Sequence, residues 1–290
     1  MIKNAVKKLF GGVELSWLKL IIMAVIAGAL TAVFAIVPVL GHTSFHAMAV
    51  TFEVWIFFGI FIIMNSRSNL DSALKCFVFF LISQPLVYLI QVPFSPLGWE
   101  LFGYYPYWFI WTLLCLPMGY IGYWMKKDKW WGYLILLPMI LLTGTSYMEY
   151  FSEFQFSMPK YILIALFCAC MMIFYPVLIF SVKKIRTVGA VVGGVCVVGL
   201  TVLCLVKPPV YSACIMSEEE GGFDENYSVY LADDKYGSVE IAYTEAIDEY
   251  MIQADFRRAG DTVMVLESPD GDKREYDVHI ERDTYTVSER

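Results

Sequence analysis

The chain has 290 residues, of which 58% are hydrophobic and 17% are charged. An ordinary soluble protein has about 45–50% apolar and about 25% charged residues, so this composition indicates a protein in contact with lipid. The charge is unevenly divided, because residues 1–210 carry a net charge of +7 and residues 211–290 carry −14. Neither region offers the clustered basic surface that phosphate neutralisation needs, which argues against a nucleic-acid partner.

The first predicted element is an interfacial amphipathic segment over residues 1–16, with apolar residues at helical spacing and three lysines on another face. Residues 17–206 then form a predicted membrane domain, because a hydrocarbon core about 30 Å thick needs about 20 apolar residues in a helix. Seven spans are predicted: Trp17–Leu40, Ala47–Met64, Ala73–Val92, Tyr107–Met125, Trp130–Thr145, Tyr161–Val182 and Thr187–Val206.

The basic residues of the short connections predict the orientation of these spans. Lysine and arginine occur before the first span and in every second loop after it, whereas the alternate loops hold only Lys160. Cytoplasmic loops carry the excess of positive charge. The N-terminus is therefore predicted to be cytoplasmic and the C-terminus extracellular, in a multi-pass protein of the plasma membrane.

Beyond the last span the pattern changes. Residues 207–222 are predicted to form a linker and residues 223–290 an extracytoplasmic β-rich domain, because apolar and polar residues alternate with period two. Five or six short antiparallel strands are expected, with a proline-led hairpin turn at Ser268–Gly271 and one helical turn at Thr244–Glu249. Only Cys214 of the seven cysteines lies here, so this domain cannot form an internal disulfide. The predicted fold class is an α-helical polytopic membrane protein with a small antiparallel β-rich C-terminal domain.

Three polar residues of the predicted spans are candidates for a ligand or ion pathway: Glu53, Gln84 and Gln91. Burying an ionisable group inside a membrane costs free energy unless the group is paired or hydrated. Glu53 is therefore a functional candidate. Gln84 precedes Pro85, whose ring kinks a helix and frees a carbonyl group. The competing interpretation is structural: an interhelical hydrogen bond for Glu53 and plain packing for the glutamines.

His42 and His46 have the spacing i, i+4, and Glu53 follows on the same face if one helix contains all three. Two histidines and a carboxylate are a zinc set in principle. The chain lacks HExxH, and Thr43-Ser44 is typical of a helix N-cap, so histidines in a wet loop are the favoured interpretation. No cofactor is predicted.

Gly189 and Gly193 form a GxxxG motif in the seventh span. Small residues at this spacing let two helices approach closely, and packing within the chain is favoured over packing between chains. The oligomeric state stays open.

The stretches Glu53–Pro93 and Phe109–Trp131 resemble uncharacterised multispan proteins of Gram-positive bacteria. The resemblance extends over most of the chain and includes the Ser268–Gly271 hairpin. Such proteins have no assigned activity, so the resemblance implies a bacterial plasma-membrane setting and transfers no functional residue.

Three functions remain in competition. The first is a binding or sensory protein, with a protein partner at the outer domain and a helical bundle that anchors or relays. The second is a small-molecule transporter or its membrane-embedded substrate-binding subunit. The third is an intramembrane metal-dependent enzyme using His42, His46 and Glu53, although no catalytic motif is present.

Overall fold

A computed structural model describes residues 10–41, 43–157, 159–244, 249–282 and 284–290. The chain divides into two compact units, one of Met1–Glu149 with Leu163–Thr201 and one of Tyr150–Ile162 with Val202–Arg290. The first unit is helical, and the second is built around β-strands. The predicted turn at Thr244–Glu249 falls largely outside the described residues.

Within the described residues, eight α-helices lie before the strands: α1 (Trp17–Ile36), α2 (Ser44–Val50), α3 (Phe52–Met64), α4 (Asn69–Gln91), α5 (Tyr105–Gly122), α6 (Trp130–Phe156), α7 (Ile162–Ile179) and α8 (Lys183–Val206). Ser16 caps α1 and Ser68 caps α4, each side chain accepting a backbone N–H from the first turn. Within the described residues, α1, α4, α6, α7 and α8 are long and apolar enough to cross a membrane.

The second, fourth and fifth predicted spans differ most from the helices observed. The second is divided at Thr51, which has extended backbone angles and acts as N-cap residue of α3, so α3 has 13 residues. The fourth corresponds to α5, whose tyrosine, tryptophan and proline residues hold it below the hydropathy of the five long apolar helices. The fifth ends later than predicted, since α6 runs for 27 residues to Phe156.

Helix α4 packs between α1 and α5 at points where glycines allow close approach. A Cβ atom at Gly28 of α1 would lie 2.7 Å from the carbonyl oxygen of Ser83, and one at Gly119 of α5 would lie 3.0 Å from the Cα atom of Ala73. The glycines thus bring both neighbouring helices against the α4 backbone.

The described part of the N-terminal segment, residues 10–16, is not helical. The side-chain oxygen of Asn65 accepts hydrogen bonds from the backbone N–H groups of Gly11 and Val13, at 3.0 and 2.9 Å. Phe10 is buried, with its ring 5.7 Å from that of Phe57. This segment is therefore fastened to the end of α3. The residues before Phe10, where most of the predicted amphipathic helix falls, lie outside the description.

The second unit contains two antiparallel sheets. The strands are β1 (Tyr211–Ser217), β2 (Ser228–Leu231), β3 (Gly237–Thr244), β4 (Glu249–Phe256), β5 (Gly260–Glu267), β6 (Lys273–Glu281) and β7 (Thr284–Glu289). One sheet has the order β1-β4-β3 and the other has the order β2-β5-β6-β7. Side chains of both sheets form one core, including Ile252, Phe256, Met264 and Val278. The unit is a small β-sandwich.

The hairpin turn predicted at Ser268–Gly271 connects β5 to β6, with Gly271 at φ +89° and its N–H bonded to the Ser268 carbonyl. Strand β1 lies inside the stretch predicted as linker, and the short helix α9 (Glu218–Gly221) follows it. A capping box between Ser217 and Glu220 starts this helix. The folded unit therefore begins earlier than residue 223.

Candidate functional site

Glu53 lies in the first turn of α3 and is 2% exposed. Its Oε2 atom has no hydrogen-bond partner among the described residues. Cys168 and Tyr175 of α7 are close enough to interact electrostatically with this carboxyl group, and the Tyr175 hydroxyl also lacks a partner in the described chain. All three side chains are buried.

The zinc set considered from the sequence requires one continuous helix, and the structure has two. His46 lies in α2 and Glu53 lies in α3, on opposite sides of the break at Thr51. Thr43 occupies the N-cap position of α2, and His42 lies outside the described residues. Over the described ranges, no three metal-ligating side chains converge.

Gln84 borders a cavity of about 90 Å³ between α3, α4, α5 and α6. The side chain is 3% exposed, and its Nε2 atom has no hydrogen-bond partner within the described chain. Five aromatic residues contribute to the wall: Phe52, Trp55, Phe80, Trp108 and Trp111. Gln84 therefore borders an apolar cavity, and its buried amide nitrogen is not exposed to that cavity.

Gln91 and Glu53 do not share that chamber. The Nε2 atom of Gln91 donates to the carbonyl oxygen of Val87 in its own helix, at 3.1 Å. Glu53 is not part of the cavity wall. The three residues grouped from the sequence therefore have three different surroundings.

The GxxxG glycines of α8 contact α7. A Cβ atom at Gly193 would lie 2.4 Å from the carbonyl oxygen of Met172, and one at Gly189 would lie 2.5 Å from the Cβ atom of Pro176. Because neither glycine has a side chain, α8 can lie directly against the backbone and the proline ring of α7.

The last seven residues of α6, Tyr150–Phe156, belong to the β-sandwich unit. Phe156 is 3% exposed and is part of the sandwich core, and its carbonyl oxygen accepts the Ala259 N–H at 2.8 Å. Glu153, also buried, forms an ion pair with Arg282. The C-terminal end of α6 is therefore part of the β-sandwich core.

The sandwich surface is acidic, and several of its basic residues form side-chain contacts. Arg274 donates to the carbonyl oxygens of Gly221 and Gly222, which end α9. His279 lies 2.6 Å from Asp261 through Nδ1, and this hydrogen bond raises the pKa of the exposed imidazole above its usual value. Most of the excess carboxylates are left as a solvated surface.

No protein-family model matches this chain, and no curated protein or solved structure is significantly similar to it. The class that the fold defines is a helical protein with several helices long and apolar enough to cross a membrane and with a C-terminal β-sandwich. Any function is therefore argued from the geometry alone.

Sequence reasoning missed both the aromatic cavity and the end of α6. A signal for the cavity exists, since Trp108, Trp111, Cys115 and Met118 recur at three- and four-residue spacing along one face of α5. For Glu153 and Phe156 we find no sequence signal, because their partners lie more than 100 residues away in the chain.

Proposed function

We propose that this protein is a seven-span component of the bacterial plasma membrane that binds an extracellular partner through its β-sandwich and relays binding to its helices. The N-terminus would be cytoplasmic and the sandwich extracellular. The observation that carries the proposal is the burial of Phe156, the last residue of α6, in the sandwich core.

The length of α6 supports this orientation. Its 27 residues extend about 40 Å at 1.5 Å per residue, which exceeds a hydrocarbon core of about 30 Å. About seven residues would project into water, which matches the seven that belong to the sandwich unit, Tyr150–Phe156. Helix α6 starts beside Lys126, Lys127 and Lys129, as expected for a cytoplasmic end.

A relay follows from the same contacts. A partner that changes the packing of the sandwich would act on Phe156 and Glu153, and a continuous helix would carry the change toward Trp130. Such coupling requires two arrangements of one element that binding favours unequally. The excess of acidic over basic residues in this unit favours a partner with a cationic surface.

A second candidate, a substrate-binding subunit embedded in the membrane, is favoured by the unpartnered Gln84 in its cavity. This candidate ranks below the binding and relay function, because Glu53, Gln84 and Gln91 do not line one common substrate pathway.

Complementation tests the proposal. In cells lacking the gene, we expect the full chain to restore the wild-type transcript profile and a chain ending at Lys207 to fail. Arg282→Ala, which retains the sandwich but breaks its pair with Glu153, should resemble the truncated chain, whereas Cys214→Ser should resemble the full chain. An N-terminal tag checks that each variant reaches the membrane in equal amount. Full restoration by the truncated chain would refute a function for the outer domain.

A further inference from the structure

The end of α7 and the first turns of α8 border an open cleft of about 560 Å³. Val177 lines it from α7, and the lining residues from α8 are Lys183, Arg186, Thr187, Ala190 and Val191. Lys183, Thr187 and Val191 are exposed, so the cleft opens to the surroundings of the helical unit. Its wall exposes polar as well as apolar surface. A ligand in this cleft would therefore meet charged groups and hydrocarbon groups at once.

Arg186 differs from the other basic side chains of the helical unit that are at least partly buried. Lys75 pairs with Asp71 at 2.8 Å, and Lys126 donates to a backbone carbonyl oxygen at 2.7 Å. Arg186 is half-buried, and its guanidinium group has no hydrogen-bond or ion-pair partner among the described residues. Of the three guanidinium nitrogens only Nε is removed from solvent, so the two terminal nitrogens remain accessible. An anion in the cleft would satisfy them through charge-assisted hydrogen bonds.

A second cation lies in the same cleft. Lys183 is exposed and, like Arg186, forms no ion pair with any residue that the structure describes. Asp128 contacts the connection between α7 and α8, but its Oδ1 atom accepts the backbone N–H of Ser181 at 2.6 Å. Among the described residues that line the cleft, two are cationic and none is acidic. Two neighbouring cations favour an anion that has several acceptor oxygens, such as a phosphate group.

The position of the cleft along the helices indicates the source of that phosphate. Helices α7 and α8 are both long and apolar enough to cross a membrane, and the cleft lies where one ends and the other begins. In a bilayer this is the level of the lipid headgroups, and basic pockets between helices on the cytoplasmic side bind anionic headgroups. Val191 is eight positions after Lys183, or about 12 Å further along α8. The apolar part of the cleft would thus meet an acyl chain, for which a free phosphate ion has no counterpart.

We propose that this cleft binds an anionic phospholipid through its phosphate group. The phosphate oxygens accept hydrogen bonds from Arg186 and Lys183, and the first part of an acyl chain lies against Val177 and Val191. The inference concerns the helical unit alone and does not require the binding and relay function proposed above.

Native mass spectrometry of the full-length protein in a mild detergent measures this binding. The delipidated protein is titrated with dioleoyl phosphatidylglycerol and, separately, with dioleoyl phosphatidylcholine, whose acyl chains are the same but whose choline group is cationic. We expect the first phosphatidylglycerol molecule to bind about tenfold more tightly than the first phosphatidylcholine molecule, because the two cations of the cleft repel choline. Inorganic phosphate in large excess should not displace the lipid, since it cannot use the apolar surface.

Lys184 supplies a matched control, because it is exposed in the same turn of α8 and does not line the cleft. Arg186→Gln should weaken phosphatidylglycerol binding about tenfold and remove most of the preference over phosphatidylcholine. Lys184→Gln removes the same charge and should leave the affinity and the preference unchanged. Ala190→Trp should fill the cleft and weaken phosphatidylglycerol binding without any change of charge.

Gel filtration establishes that each variant is folded, and the comparison of Arg186→Gln with Lys184→Gln decides the matter if Ala190→Trp is not. Equal affinity of the wild-type protein for the two lipids would overturn the proposal. Equal weakening in folded Arg186→Gln and Lys184→Gln would also overturn it, because it would indicate attraction by the general positive charge. Displacement by inorganic phosphate would overturn the assignment to a lipid and indicate a site for the free anion.

Discussion

Arg282, in the turn after β6, forms an ion pair with Glu153, three residues before the end of α6. Glu153 has a side chain 9% exposed and Arg282 one 39% exposed. The contact joins residues 129 positions apart in the chain and closes the sandwich over the end of a helix. The ion pair matters for stability because the Glu153 carboxylate is almost completely buried and would be costly to leave without a cation.

Arg282→Ala should leave that carboxylate buried without its cation. Loss of one partner of a fully buried pair costs about 3–5 kcal/mol, and the partial exposure of Arg282 reduces our expectation to about 2 kcal/mol. Limited proteolysis of the β-sandwich should then be about thirtyfold faster, if it follows the population of the opened sandwich. The double variant Glu153→Leu with Arg282→Leu should recover most of the resistance. An unchanged cleavage rate for Arg282→Ala would show that the pair contributes nothing.

Phe156→Ala should open a cavity in the sandwich core and destabilise that unit by about 3–4 kcal/mol. Phe154, two residues earlier and half-buried against Phe151, provides the control, and Phe154→Ala should cost far less. Tryptic cleavage at Arg257 and Arg258 reports opening of the domain. Equal protection in the two variants would mean that the end of α6 is not part of the core.

The helices and most strands could be predicted because apolar length and period-two alternation are local signals. Val278 and Ile280 of β6, for example, are buried as their alternation requires. Strand β1 lies in the stretch that the sequence predicts as linker, directly after Pro208-Pro209. The attachment of Phe156 to the sandwich could not be predicted, because it joins a helix to strands that start more than 50 residues later. The surroundings of Gln84 likewise depend on three other helices.

Two adjacent glycines of α8 should respond differently to alanine. Gly193→Ala would push a methyl group against the carbonyl oxygen of Met172, 2.4 Å away, whereas Gly194→Ala meets no atom within 4 Å. We expect Gly193→Ala to cost about 1–3 kcal/mol through forced separation of α7 and α8. Gly194→Ala should be neutral or slightly stabilising, since alanine favours helix. Thermal unfolding in detergent measures both, and equal midpoints would contradict this packing.

The His279–Asp261 contact should make the stability of the β-sandwich depend on pH. The hydrogen bond to Asp261 raises the pKa of His279 in the folded state. A raised folded pKa stabilises fully below the unfolded value of about 6.5, and the contribution disappears as pH rises through the folded pKa. Asp261→Asn should therefore lower the thermal midpoint at about pH 5.5 and leave it unchanged at about pH 9. A difference that is constant, or that grows with pH, would contradict the assignment.

Chemical labelling of Cys214 tests most directly whether the sandwich faces the outside. Cys214 is exposed in β1, and a membrane-impermeant maleimide should label it in intact cells. Cys214→Ser should abolish that signal. In the Cys214→Ser background, Lys127→Cys between α5 and α6 should react only after permeabilisation. Labelling of Cys214 in intact cells is the predicted result, and labelling that needs permeabilised cells would contradict an extracellular binding module.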